Sequence, residues 1–160
     1  MANLKAEITQ GPPFSSMEEE ALLNLLRTSD RLERALQQKT RACGLSSTQY
    51  NVLRILRGAR PRGLTCAAIG DRMIAAEPDI TRLLTRLKGL KLIKQQRDRH
   101  DRRVVWTQIT EAGLKLLRAM DPVIQRVPVE LLGHMNRAEL VEFIRLLELA
   151  RQARVSAEKP

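Results

Sequence analysis

Between Ser15 and about Ala42, the residues Leu22, Leu25, Leu26, Leu32, Ala35 and Leu36 return at the spacing that gathers side chains on one face of an α-helix. Ser15 and Ser16 each stand three residues before a glutamate, Glu18 and Glu19, a doubled capping-box pattern, and Gly44 ends the segment. Leu45 and Ser46 begin a second helix, with Ser46 and Gln49 as another capping box and Val52, Leu53, Ile55 and Leu56 as its apolar face. The run Gly58-Ala59-Arg60-Pro61-Arg62-Gly63 stops it. Thr65 is placed to cap a short third helix, 66–73, that turns Ala68, Ile69 and Met73 inward. Pro78 suits the first position of a fourth helix, 78–90, because its missing N–H would have no intrahelical partner there. The inward stripe of that helix is Ile80, Leu83, Leu84 and Leu87, which leaves Asp79, Thr81, Arg82, Thr85, Arg86 and Lys88 on other faces.

From Leu92 the period changes. Leu92-Ile93 is a short apolar run, the charged tract Gln95 to Arg103 follows, and Val104 to Ile109 is β-branched and aromatic, the pattern of a hairpin with a long basic tip. Thr110 and Gly113 then open a helix carrying Leu114, Leu117 and Val123, expected to be interrupted or bent at Pro122 and Pro128. Asn136 and Glu139 cap a last helix with Leu140, Phe143, Ile144, Leu147 and Ala150. No internal repeat is present. Residues 1–14, with Gly11-Pro12-Pro13 and no period, are expected to be a flexible arm, and 154–160 a tail.

Only four of the 160 residues are Phe, Trp or Tyr, so the core must be aliphatic, which favours helices. The expectation is a mainly α fold with a small β-hairpin wing. Two short helices joined by a tight turn and followed by a hairpin are the parts of a winged helix-turn-helix, whose second short helix enters the DNA major groove. Charge agrees with that placement. The formal net charge is +10, and residues 72–103 hold ten Lys or Arg against four Asp or Glu, a net +6 in one fifth of the chain.

Arg82 and Arg86 lie one turn apart on the polar face of the fourth helix, and a guanidinium can hold guanine O6 and N7 with two parallel hydrogen bonds. Thr81 and Thr85 can bond a base edge or phosphate, or touch a thymine methyl. An ordinary solvated face would carry similar charges; the adjacent basic hairpin is what favours a nucleic-acid surface. Asp79 is awkward there, since a carboxylate repels phosphate unless it accepts from cytosine N4 or pairs with an arginine. In the tip Arg97-Asp98-Arg99-His100-Asp101-Arg102-Arg103, interleaved signs suggest that the aspartates orient some arginines and leave others free for a narrow minor groove. A metal held by His100, Asp98 and Asp101 is disfavoured, because the flanking guanidiniums would repel a cation. The DNA-contacting candidates are Thr65, Pro78, Asp79, Thr81, Arg82, Thr85, Arg86, Arg97, Arg99, Asp101, Arg102 and Arg103.

From about Leu45 to Gly113 these residues resemble the MarR family of transcriptional regulators. Typical family stretches are Leu-Ser/Thr-x-x-Gln-Tyr-x-Val-Leu, here Leu45 to Leu53, and Asp-x-Arg-x5-Leu-Thr followed by a Gly, here Asp101-Arg102-Arg103, five residues, then Ile109-Thr110 and Gly113. The resemblance implies a DNA-binding lobe over 45–113 between dimerisation helices over 15–44 and 114–153. It implies that Arg103 enters the minor groove with Asp101 as its orienting partner, and that Thr81, Arg82 and Arg86 lie on the recognition helix. It further implies control by small aromatic or phenolic ligands or by oxidants. One departure concerns the helix end. The family commonly has Gly just before the Leu-Ile/Val pair, whereas here Lys91 holds that place and Gly89 lies two residues earlier, which leaves the hairpin's angle of approach open.

The outer helices carry more apolar surface than a small three-helix domain needs, so a second copy is expected to cover Leu22, Leu25, Leu26, Leu140, Phe143, Ile144 and Leu147 in a two-fold interface. Such a homodimer, taken as a bacterial regulator and a repressor, would read a pseudo-palindromic double-stranded DNA site with half-sites about 10 bp apart. Cys43 and Cys66 form no CxxC pair and are expected to be plain buried small hydrophobes; Cys66, near a helix start, is the better placed of the two for oxidant sensing. No stretch approaches about 18 uninterrupted apolar residues and the first residues lack a signal-peptide core, so a cytoplasmic location away from membranes is expected. With two His, no Gly-rich phosphate loop and no HExxH, an enzyme is disfavoured, and no cofactor or metal is expected. The stronger rival is a non-specific architectural or protein-binding winged helix, for which basic charge alone suffices.

Overall fold

A computed structural model describes residues 4–9 and 11–152. They divide into two compact units that meet in sequence after Gln125. In the first unit α1 (Leu4–Glu7), α2 (Met17–Ala42), α3 (Ser47–Gly58), α4 (Cys66–Gly70) and α5 (Ile80–Gly89) precede the antiparallel strands β1 (Ile93–Arg97) and β2 (Val105–Ile109), and α6 (Glu111–Ile124) closes it. The second unit holds α7 (Val127–Leu132) and α8 (Arg137–Arg151). The fold is mainly α with a two-stranded wing, as the pattern of positions predicts.

The helix starts are set by side-chain oxygens that satisfy otherwise orphaned backbone N–H groups. Ser46 and Asn136 form complete capping boxes with Gln49 and Glu139. At α2 the box is divided: Ser16 Oγ accepts from the Glu19 N–H at 3.1 Å, while the Glu19 carboxylate accepts from the Ser15 N–H at 2.6 Å and the Ser15 hydroxyl at 2.7 Å. The end of α2 is a Schellman turn, in which Leu45 N–H donates to Thr40 O and Gly44 N–H to Arg41 O around Gly44 at φ +80°.

One core serves the first unit. Tyr50, Val52, Leu53 and Leu56 of α3 pack with Ile69, Leu83, Leu84 and Leu87, and with Leu114, Leu117, Met120 and Ile124 of α6. Residues of α6 expected in a dimerisation helix therefore also build the lobe's own core. Arg57 of α3 reaches Asp121 of α6 at 2.7 Å, adding a half-buried ion pair between the same helices.

Several boundaries differ from the sequence reading. Within the arm expected over 1–14, residues Leu4–Glu7 form a helical turn with Leu4 buried, because one leucine suffices to anchor a turn against α2. The third helix stops at Gly70 rather than 73, its chain tightening into i to i+3 bonds from Arg72 to Ile69 and Met73 to Gly70. At Gly70 a β-carbon would lie 2.9 Å from Ile80 Cδ1, so this glycine lets α5 approach closely. The fourth helix begins at Ile80 rather than Pro78, since Asp79 takes the cap. Pro122 does not interrupt α6, which continues to Ile124, and Pro128 lies in the first turn of α7, where its missing N–H is not needed. The expected tail, 154–160, lies outside the described residues, as do residues 1–3, 10 and 153.

Candidate nucleic-acid interface

The recognition-helix candidate is α5. Its apolar stripe, Leu83, Leu84 and Leu87, is buried, and Thr81, Arg82, Thr85 and Arg86 are exposed on the rest of its circumference. Asp79 Oδ1 accepts from the Arg82 N–H at 2.9 Å. The residue that was awkward beside phosphate is thereby accounted for: its carboxylate caps the helix, with Pro78 exposed just before it. Thr85 donates its hydroxyl to the Thr81 carbonyl at 2.9 Å, which leaves its lone pairs and methyl for a partner. Thr65 is used differently from the others, half-buried with Oγ1 accepting from the Ala68 N–H as the cap of α4.

The helix end resolves the family departure. Leu92 N–H donates to Leu87 O and Lys91 N–H to Lys88 O, a second Schellman turn, with Lys91 at φ +59° in the left-handed position that favours glycine. Gly89 has an ordinary helical place. Thr110 and Gly113 hold the other side of this joint. Thr110 Oγ1 donates to Lys91 O at 2.8 Å and accepts from the Gly113 N–H at 3.1 Å, and a β-carbon on Gly113 would meet Leu92 O at 2.4 Å. The Thr and Gly of the second sequence motif are thus the clasp between the start of α6 and the start of the wing.

In the wing, Ile93 pairs with Ile109 and Arg97 with Val105, and an isolated bridge between Leu64 and Thr107 adds the α3–α4 turn to the sheet. Gly63, at φ +81°, permits this, since a β-carbon there would lie 2.4 Å from Thr107 O. Thr107 Oγ1 is fully buried and has no hydrogen-bond partner among the described residues.

Among the described residues the aspartates of the tip pair with no guanidinium, contrary to the expectation for Asp98 and Asp101. Asp101 Oδ1 accepts from the backbone N–H of Arg103 at 2.9 Å. Asp98 Oδ1 accepts from the N–H groups of His100 and Asp101 at 2.8 and 3.1 Å, and Oδ2 from Trp106 Nε1 at 2.8 Å. Short carboxylates reach their own loop's N–H groups at less conformational cost than they hold a long mobile arginine. Donation by the Trp106 indole, and then by the two backbone N–H groups, holds Asp98 down to about 2, so it stays charged.

In consequence Arg82, Arg86, Arg97, Arg99, Arg102 and Arg103 are exposed and, among the described residues, none has a carboxylate within 4.0 Å. Unneutralised guanidiniums on a helix and on the adjoining hairpin suit a polyanion. Sequence reasoning missed Arg62, whose guanidinium lies 4.8 Å from the centre of the Trp106 ring. It sits in a stretch read only as a helix stop, and no periodicity could have tied it to the wing. Neither cysteine is fully buried as expected: Cys43 is half-buried at the end of α2 and Cys66 is exposed, because the short α4 turns Ile69 and not its first residue into the core; both are free thiols, and no group of His, Cys, Asp or Glu among the described residues is arranged to hold a metal. None of the described helices is long and apolar enough to cross a membrane.

No protein-family model matches the chain. Individual relatives do. A MarR transcription factor from Planctomyces limnophilus is 42% identical, with 86% of this chain and 99% of that chain covered at a TM-score of 0.66. BpsR of Bordetella bronchiseptica, whose DNA binding is regulated by 6-hydroxynicotinic acid, is 26% identical over 89% of this chain and 99% of its own, with a TM-score of 0.75. The HTH-type transcriptional repressor NicR of Pseudomonas putida is 31% identical over 126 residues, 78% of each chain. With this likeness extending across most of both chains and the winged helix-turn-helix in place, the protein belongs to the MarR family of transcriptional regulators.

Proposed function

We propose that the chain is a homodimeric repressor that binds an inverted-repeat operator through α5 and the wing and is released by a small aromatic or phenolic ligand. The observation that carries this reading is the set of six exposed arginines without carboxylate partners on α5 and the hairpin. Arg82 and Arg86, with Thr81 and Thr85, read base edges in the major groove; Arg97, Arg99, Arg102 and Arg103 approach the minor groove and phosphates. In this reading the helices described within 15–44 and 114–152 are the dimerisation helices, each meeting its symmetry mate. Leu22, Leu25, Leu26 and Ile144 are 56, 40, 57 and 54% exposed, more apolar area than a lone helix face leaves in water, while Leu140, Phe143 and Leu147 are half-buried. NicR's name as a repressor and the regulation of BpsR by a hydroxylated pyridine acid support repression and an aromatic ligand.

The test selects bound fragments from the source genome and compares the recovered inverted repeat with its scrambled duplex by fluorescence anisotropy at fixed salt. A preference of at least about 10³-fold is expected. Arg82→Ala costs about 1–3 kcal/mol of binding and relaxes base preference, whereas Arg103→Ala weakens all duplexes and flattens the salt dependence. Equal affinity for both duplexes would instead identify an architectural protein, and a monomer by sedimentation at working concentration would sink the two-fold arrangement. Adding 6-hydroxynicotinic acid and simple phenols to the bound complex tests ligand release.

A further inference from the structure

The wing tip, residues 97–103, is rich in charge and lacks apolar side chains to bury, so its order rests on hydrogen bonds. Backbone bonds from Asp98 to Val104 and from Val104 to Asp101 continue the ladder. Among the described residues, only one side chain outside the tip bonds it: Trp106, whose indole N–H goes to Asp98 Oδ2. The other oxygen of that carboxylate holds the His100 and Asp101 N–H groups, so the strand residue and the loop backbone share one anchor.

The opposite resource of the indole is its π-face, and that is where Arg62 lies. Arg62 belongs to the turn between α3 and α4, which is fastened to β2 by Gln108 Nε2 donating to the carbonyls of Pro61 and Arg62 at 2.9 and 3.2 Å. Arg62, Arg97 and Arg99, with Trp106 and the Asp98 carboxylate that its indole holds, line an open cleft of about 250 Å³. None of these three guanidiniums has a carboxylate partner among the described residues.

We propose that Trp106 is a positioning residue for DNA binding: it fixes the wing tip through Asp98 and holds Arg62 against its ring, so that Arg62 adds a phosphate contact from the α3–α4 turn. This rests on the DNA-binding reading above. A phosphate is the fitting target for Arg62 because stacking on the ring restricts the guanidinium and leaves its edge free to donate to an anion.

Trp106 is the only tryptophan in the sequence, so it can be replaced by its benzothiophene isostere, which keeps the ring and removes the N–H, and separately by Trp106→Phe. In both variants the heteronuclear NOEs of the Arg99 to Arg103 amides should fall at an unchanged fold by circular dichroism. Duplex affinity should drop about fivefold or more, the cost of re-ordering even one loop residue on DNA. Arg62→Ala should leave those NOEs intact but make the slope of log affinity against log salt shallower by about 0.9. A merely structural tryptophan would lower the melting temperature and leave tip NOEs and affinity alone. Tip amides that stay ordered in the isostere variant, or an unchanged salt slope in Arg62→Ala, overturn the inference while wild-type binding stands. Wild-type protein that binds no duplex at low salt overturns the DNA-binding reading and the inference with it.

Discussion

The exposed faces of α5 and of the wing tip both present arginines clear of any carboxylate among the described residues, yet they are held by different means. On α5 the backbone is fixed by the helix ladder and by Leu83, Leu84 and Leu87 pressed into the core, so the outward residues inherit their places from the inward ones. The tip has no inward side; its seven residues are shaped by Asp98 and Asp101 accepting backbone N–H groups and by one indole. Positioning by packing is resistant and global. Positioning by a few exposed hydrogen bonds is local, and it can be loosened without unfolding the protein.

Breaking the first kind should have the largest effect. Leu87→Ala is expected to cost about 2–5 kcal/mol in urea unfolding, since the residue is fully buried and its neighbours come from several elements; an unchanged midpoint would mean that α5 is not held by its core side. Smaller and of opposite sign is Thr107→Val, which removes a buried hydroxyl without a partner among the described residues under the wing and should stabilise by about 1 kcal/mol. A loss of stability there would indicate that the hydroxyl has a partner in solution. At the joint between the two regions, Lys91→Gly should stabilise by about 0.5–1 kcal/mol, the relief of a left-handed lysine less the entropy that glycine adds to the unfolded chain. Destabilisation would show that the lysine side chain holds the joint.

The smallest effect on global stability should come from acid. Asp98 is held at about 2 in the folded protein against an ordinary 3.8, so its grip on the tip is complete above about pH 4 and is lost as pH falls through about 2. The Trp106 indole N–H resonance should report that low midpoint while far-UV circular dichroism remains native. A midpoint near 3.8 would mean that the carboxylate is free of the indole.

The two regions also differ in how far they could be read in advance. The α5 face was legible because a period of 3.6 residues separates Leu83, Leu84 and Leu87 from Thr81, Arg82, Thr85 and Arg86 without reference to anything distant. Its first turn was misplaced by two residues because Pro78 and Asp79 both fit a helix start, and only the bond from Asp79 to the Arg82 N–H separates first helical residue from cap. The tip's interleaved charges suggested Asp–Arg pairs. Backbone N–H groups, present at every residue and therefore invisible as a pattern, were the partners instead.

The order of the helices after α1, the hairpin, the aliphatic core and the basic excess over 72–103 follow from the chain alone, since periodicity, caps and charge are local properties of neighbouring residues. Tertiary structure decided what depends on distance through space. It joined Arg62 to Trp106, forty-four positions apart in the chain, and made Gly113 necessary against the Leu92 carbonyl. It also put Lys91 in a glycine's conformation, because the turn into the wing is demanded by the packing of α5, β1 and α6 together and not by the residue that happens to occupy it.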